Sequence, residues 1–188
     1  MTTESEVAER FRRDTADHVM TVMLDRGTHR NLRFGRLGDV TYHFTLTTWP
    51  GYLCVSGDMG TYVFARLQDM FCFFRGDRIN PSYWAEKCVA VDRTIGITEH
   101  SEDAAREFVQ EWLAEDASHA AEFACEFEDV DFEDPQAVRD ALEEHGFSDA
   151  WELDWDEPTL HFLWCLHAIV WGIQQYDALK LKTEQGAA

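Results

Sequence analysis

The sequence predicts an α+β fold: a small antiparallel sheet at about residues 31–64, packed with helices and joined to an acidic helical layer. Three observations predict it. Short runs rich in Val, Thr, Tyr and Phe are separated by breaks too brief for crossover connections, so neighbouring strands must run antiparallel. Apolar residues at helical spacing precede and follow these runs. Between residues 101 and 157, finally, carboxylates crowd among the aromatics of "CEFEDVDFEDPQAVRDALEEHGFSDAWELDWDE". With 188 residues, 45% of them apolar, the chain can bury a real core. The expectation is one domain, 1–188, with 101–157 as an acidic interaction layer inside it.

Taken in order, residues 4–25 predict a helix on Val7, Phe11, Ala16, Val19, Met20, Met23 and Leu24, ended by Gly27. From Asn31 to Phe64, "LRFGR", "VTYHFTLTT", "YLCVSG" and "TYVFAR" predict a meander of three or four strands. Gly38-Asp39, Pro50-Gly51 and Gly57-Asp58-Met59-Gly60 separate them. "RLQDMFCFFR" reads as a short helix, and Asn80-Pro81 starts "PSYWAEKCVAV" with proline at the first helical position. A strong helix runs from Ser101 to about Phe127, with Ala105, Phe108, Val109 and Trp112 on its apolar side. Asp134-Pro135 opens another to about Glu144, closed by Gly146. "DAWELDWDE" alternates Trp and Leu with acids at a two-residue period, which suits a strand or extended segment. The closing helix, Thr159 to about Leu181, is apolar nearly all round at first. Its Trp164, Leu166, Ile169 and Val170 are expected to lie buried against the sheet.

The formal net charge is −20. Such a chain lacks the basic surface that direct nucleic-acid binding or an anionic membrane requires. "MTTESEVAERFRRDTADH" has no basic-then-apolar order of a signal peptide, and the apolar run Leu160–Ile173 is too short to span a bilayer. Five cysteines, odd in number and without a Cys-x-x-Cys pair, predict free thiols in a reducing cytoplasm. The charge is concentrated: residues 102–157 hold 21 Asp/Glu against Arg106 and Arg139, a balance of −19. Residues 10–36, by contrast, hold seven Arg against three Asp, a local +4. Opposite patches of this kind allow a homodimer in which they pair across copies.

Candidate chemistry is thin. His161 and Cys165 share one helical face, but no second pair stands at zinc-ligand spacing. His43 and Cys54 suggest a base and a nucleophile with no third group to orient them. "GDMG" reads as a tight turn and not a phosphate cradle, because neither a helix N-terminus nor a Lys follows it. "EFEDVDFEDP" lacks the glycine and spacing of an EF-hand. No catalytic residue, metal ligand or cofactor is therefore assigned, and the protein is not expected to be an enzyme.

The acidic face is the candidate partner-binding surface: Asp103, Glu107, Glu111, Glu115, Glu122, Glu126, Glu128, Asp129, Asp131, Glu152, Asp154 and Asp156. Solubility alone explains it poorly. Like charges four residues apart cost a helix a few tenths of a kcal/mol per pair, and mixed signs would serve solubility with less repulsion. Acids four apart rise about 6 Å per step, comparable with successive phosphates along a strand. A surface of this kind can compete for a basic groove built for DNA or RNA.

Three segments, "TWPGYLCVSGDMGTYVFARLQDMFCFFR", "INPSYWAEK" and "HFLWCLHAIVWGIQQYD", together resemble a family of small accessory proteins of temperate bacteriophages and prophages. The likeness covers roughly residues 47–87 and 161–177. The family has no established activity, so no site residue carries over. The resemblance implies a bacterial host cytoplasm and, by analogy with acidic phage accessory proteins, inhibition of host defence in the manner of DNA-imitating anti-CRISPR and anti-restriction proteins. The expected partner is thus a basic, nucleic-acid-binding host protein or complex. The alternative is a small-molecule-binding or enzymatic accessory protein that uses the Trp49–Tyr62 region.

Overall fold

The computed structural model describes residues 4–115 and 127–186. Its contacts gather the chain into two units, Thr98–Glu157 and the segments on either side of it in sequence. The mixed α+β class is as expected, with six α-helices among the described residues, a six-stranded antiparallel sheet and a two-stranded one.

In the larger unit, helix α1 (Glu4–Asp14) precedes strands β1 (Val19–Arg26), β2 (His29–Gly35), β3 (Phe44–Trp49), β4 (Tyr52–Gly57) and β5 (Gly60–Ala65). Two short helices, α2 (Met70–Phe74) and α3 (Pro81–Ala85), lead to β6 (Cys88–Val91). The strands lie in sequence order, each antiparallel to the next. The sheet therefore extends well beyond residues 31–64, and two expectations need correction.

The helix over 4–25 stops at Asp14, and "VMTVMLDR" is β1. Thr15 ends the helix by donating its hydroxyl to the Phe11 carbonyl at 2.8 Å. Val19, Thr21 and Val22 then favour a strand. Gly27 is no helix stop. At φ +61 it sits in a two-residue turn between the paired Arg26 and His29, where a hairpin needs glycine. Likewise "CVAV" does not continue α3. It leaves that helix after Ala85 and pairs with β5, Ala90 opposite Val63.

Alternation along the strands sends Leu32, Phe34, Phe44, Leu46, Leu53, Val55, Tyr62 and Phe64 to one face, all essentially buried. Helix α6 (Leu160–Gly186) shares their core, and Trp164, Leu166, Ile169 and Val170 are buried as expected. Gly172 permits its close approach, since a Cβ there would stand 2.7 Å from Leu46 Cδ1 and 3.1 Å from the Phe34 ring. Trp164 donates its indole N–H to the buried carboxylate of Asp14 at 3.2 Å, which ties α6 to α1. At the other end, buried Arg30 forms a bidentate pair with Asp69, both bonds 2.9 Å, and lies over the Phe71 ring. The Asp69 carboxylate also accepts from the Phe71 N–H and so caps α2.

The unit Thr98–Glu157 opens with β7 (Thr98–His100), which pairs with β8 (Asp156–Pro158). Between them come α4 (Glu102–Glu115), a 3-10 turn Phe127–Asp129, α5 (Pro135–Glu144) and a second 3-10 turn Ala150–Glu152. The rest of the helix expected to reach Phe127 lies outside the described residues. The "DAWELDWDE" segment is not one extended strand. Asp149 adopts a left-handed φ of +63 and the 3-10 turn follows, so the two-residue alternation breaks. As a result Trp151 is 67% exposed whereas Trp155 is buried. This unit has its own core of Ala105, Val109, Phe127, Phe132, Val138, Leu142, Ala150 and Trp155.

Two outcomes follow. Trp164→Ala removes a fully buried indole and leaves Asp14 without that donor, so it should cost about 3–5 kcal/mol; a wild-type urea midpoint would refute a central α6. The second concerns pH. Hydrogen bonding from Arg30 holds the Asp69 carboxyl below its ordinary range. The stability this contributes is complete above the unfolded value of about 3.9 and is lost as pH falls through the lowered folded value. Asp69→Asn should therefore be less stable at neutral pH and decline more gently than wild type between about pH 5 and pH 2. Parallel urea-midpoint curves for the two proteins would show that the pair carries no acid-linked stability.

Candidate protein-interaction surface

Helix α4 buries Ala105 and Val109, with Phe108 and Trp112 half-buried beside them. That orientation follows from the 3.6-residue period and sets Asp103, Glu107 and Glu111 on the outside, one turn apart. Glu115 closes the helix. Glu122 and Glu126 lie outside the described residues.

The remaining acids are held by turns. Glu128 and Asp129 are exposed on the 3-10 turn whose Phe127 is buried. Asp131 is exposed, and its Oδ1 accepts from the Glu133 N–H at 3.0 Å. Glu152 stands exposed beside Trp151. Asp154 accepts from the Asp156 N–H at 3.0 Å, and Asp156 accepts from the Thr98 hydroxyl at 3.2 Å. Asp131 and Asp154 thus shape the backbone, and Asp156 bonds a side chain of β7, as well as carrying charge.

The two arginines of residues 102–157 face inward in function. Arg106 bonds Glu102 on its own helix at 2.6–2.8 Å and covers the Phe132 ring at 4.1 Å. Arg139 gives Nε and Nη2 to the Leu153 carbonyl at 3.1 and 2.9 Å and lies 5.7 Å from the Trp155 ring centre. Both act as props of the local core. Among the described residues, Glu107, Glu111, Glu128, Asp129 and Glu152 make no ion pair. Their charge is presented to solvent without a fixed counter-cation.

The other candidates are dispersed. His43 bonds the Val40 carbonyl through Nδ1 at 2.6 Å, whereas Cys54 pairs with Thr47, four residues further along β3. At about 3.4 Å per residue this separates them by more than 10 Å, and burial pushes the Cys54 thiol up. Cys165 is buried with its thiol directed at the Met59 carbonyl, and burial raises it strongly. His161 is half-buried, and burial lowers His167. Among the described residues no group of three or more His, Cys, Asp or Glu could hold a metal ion. The GDMG segment is the tight turn that was expected. A Cβ on Gly57 would collide with the His43 carbonyl at 2.1 Å, Gly60 has φ +112, and Asp58 accepts from the Tyr42 N–H. Trp49 and Tyr52 stack at 5.2 Å across the β3–β4 hairpin. Among the described residues no helix is long and apolar enough to cross a membrane.

Sequence reasoning missed the solitary exposure of Trp151, because the two-residue alternation grouped it with Trp155. It also missed an arginine-lined cleft at the β1–β2 end of the sheet, of which the local +4 was the only sign. No family model, curated protein or solved structure matches the chain.

Arg139 offers a direct check on how the surface is held. Arg139→Ala removes two charge-assisted bonds, worth about 1.5–3 kcal/mol for such hydrogen bonds. Limited proteolysis should then cut first between Asp149 and Asp156. An unchanged digestion pattern would mean that the arginine does not hold this segment.

Proposed function

We propose that the protein is a phage-encoded inhibitor of a bacterial defence system, in the manner of an anti-CRISPR protein, acting in the host cytoplasm. Its carboxylate surface, Asp103, Glu107 and Glu111 with the acids of residues 128–131 and 152–156, occupies the nucleic-acid groove of a basic host protein or complex. The observation that carries this reading is the disposition of charge. Among the described residues Glu107, Glu111, Glu128, Asp129 and Glu152 make no ion pair, while the two arginines of the block are turned to structural use. A surface selected only for solubility would gain from exposed Lys and Arg among its acids. The resemblance of residues 47–87 and 161–177 to phage accessory proteins supplies the setting. The activity so proposed is occupation of a groove and needs no covalent step, metal or cofactor.

The mechanism is electrostatic competition. A groove that binds a polyanion gains affinity by releasing condensed counterions from it. Carboxylates fixed on a folded surface compete for the same Lys and Arg side chains, with their positions set in advance. Attraction between such faces speeds encounter and weakens with salt.

Reversal of Glu107, Glu111 and Glu115 to Lys tests the reading. The variant should keep its fold, because repulsion along the ridge is relieved. It should nevertheless lose the ability to displace a labelled DNA duplex from a purified defence effector, and wild-type displacement should fall steeply as salt rises. A stable ternary complex in which the effector holds DNA with unchanged affinity would rule out mimicry.

A further inference from the structure

We propose that the cleft at the β1–β2 end of the sheet binds a small organic anion: a carboxylate or phosphate head on a compact apolar body. The cleft has a volume of about 560 Å³ and is walled by Val19, Thr21, Arg33, Arg36, Leu37 and Val40, with one carboxylate, Asp39, also in its lining. That volume falls within the range usual for small-molecule sites.

Register explains the wall. Thr21 pairs with Arg33 and Val19 with Gly35, while the alternate residues Leu32 and Phe34 enter the core. Val19, Thr21 and Arg33 therefore stand together on the opposite face. Gly35 contributes no side chain, and a Cβ there would stand 3.3 Å from His43 Cβ.

Arg30 and Arg75 each hold a carboxylate by two bonds of 2.8–3.0 Å. Arg33 is exposed and makes no ion pair among the described residues. Arg36 has its Nε buried without a hydrogen-bond partner, and its nearest carboxylates, Asp17 and Asp39, stand 3.8 and 3.9 Å away. The cleft thus holds two guanidinium groups with donors to spare: Arg33 outside any ion pair among the described residues, and Arg36 beside two carboxylates at ion-pair but not hydrogen-bond distance. A guanidinium fork fits a planar carboxylate or a phosphate oxygen pair.

The wall also carries apolar side chains open to solvent. Leu37 is fully exposed, Val40 is 68% exposed and Val19 66%. The loop that presents Leu37 and Val40 is fixed by its own bonds. Asp39 Oδ1 accepts from the Thr41 N–H and hydroxyl at 2.9 and 2.7 Å, and Asp58 accepts from the Tyr42 N–H at 2.9 Å. Gly38 at φ +79 and Tyr42 at φ +56 occupy backbone conformations that such a framework must hold in place. Little ordering is therefore left for a ligand to impose.

Charge selects the size of the ligand. A polyanion would run from two arginines onto the surface of a chain of net charge −20. A small anion sits within a few ångströms of both arginines and meets one carboxylate in the wall, Asp39, whose Oδ1 is engaged by Thr41; carboxylates beyond about 8 Å are screened at physiological ionic strength.

The test titrates the full chain, observed by amide NMR, with phenylacetate and phenyl phosphate; inorganic phosphate serves as head alone and benzyl alcohol as body alone. Saturable shifts should be confined to residues 19–21 and 33–40, and the better whole ligand should bind at least about tenfold tighter than either fragment. Arg33→Gln and Arg36→Gln should each weaken it about tenfold or more. Leu37→Ser with Val40→Ser should weaken the aromatic ligands and leave inorganic phosphate unaffected. Arg33, Leu37 and Val40 are exposed and Arg36 is half-buried, and an unchanged melting curve will certify the fold of each variant. No saturable shift with either whole ligand, equal response to inorganic phosphate alone, or undiminished binding by Arg36→Gln would each overturn the proposal.

Discussion

Everything in the larger unit depends on seating one apolar helix against one face of the sheet. Helix α6 approaches so closely at Gly172 that any side chain there would enter the space of Leu46 and Phe34. Phe34 cannot easily yield, because it stacks on Phe44 at 4.6 Å, and Phe44 meets Trp164 edge-on at 5.8 Å. Trp164 in turn bonds Asp14 at the end of α1. Sheet, α6 and α1 are thus one packing problem with little slack, since interiors are as dense as organic crystals. The same helix fixes where the acidic segment leaves and rejoins. Thr159 begins it, capping Phe162 with its hydroxyl at 3.1 Å, and gives its own N–H to the Ile97 carbonyl at 2.8 Å. Ile97 and Thr159, the residues that flank the acidic segment in sequence, are thus held together within the larger unit, and the entropy cost of closing the chain between them grows only slowly with its length.

That arrangement bears on why the acidic segment folds despite its charge. Its aromatics are mainly structural: Phe127, Phe132 and Trp155 are buried in a local core that Phe108, Trp112 and Phe147 flank. Arg106 and Arg139 cover that core with their guanidinium planes and satisfy a glutamate and a backbone carbonyl. A few tenths of a kcal/mol per like-charged pair is small beside the burial of several aromatic rings. The segment can carry a strongly one-signed surface because its stability rests on an apolar core and on two cations, Arg106 and Arg139, committed to propping it.

Strands β2 to β5 and the closing helix were legible because Pro-Gly, Gly-Asp and Gly-Asp-Met-Gly punctuate runs of unambiguous period. Strand β1 was not. Val19, Met20, Met23 and Leu24 satisfy a helical stripe as well as a strand with a bulge, and the shift between Val22 and Leu24 destroys the two-residue signal. Strand β6 was hidden because it follows a five-residue helix without a glycine or proline between them. For the candidate surface, helical spacing correctly put Asp103, Glu107 and Glu111 outside. It could not separate Trp151 from Trp155, since that distinction comes from the left-handed backbone at Asp149. Nor could composition show that, of several arginines before residue 37, Arg30 is buried in a pair while Arg33 and Arg36 line a cleft.

On the proposed reading, regularity of charge matters less than its fixation. Helix α4 gives one row of carboxylates at helical rise, but Glu128, Asp129 and Glu152 follow no such repeat. They are placed by two 3-10 turns, each anchored by a buried residue, Phe127 in one and Ala150 in the other. A flexible acidic tail would have to lose conformational freedom on entering a groove, whereas these groups have already lost it in folding. That Glu107, Glu111, Glu128, Asp129 and Glu152 make no ion pair among the described residues has a matching consequence. A partner's Lys or Arg meets a carboxylate that need not first release an internal ion pair. Charge held in place by an apolar core and left without internal neutralisation is what separates a competitor for a basic groove from a merely soluble surface.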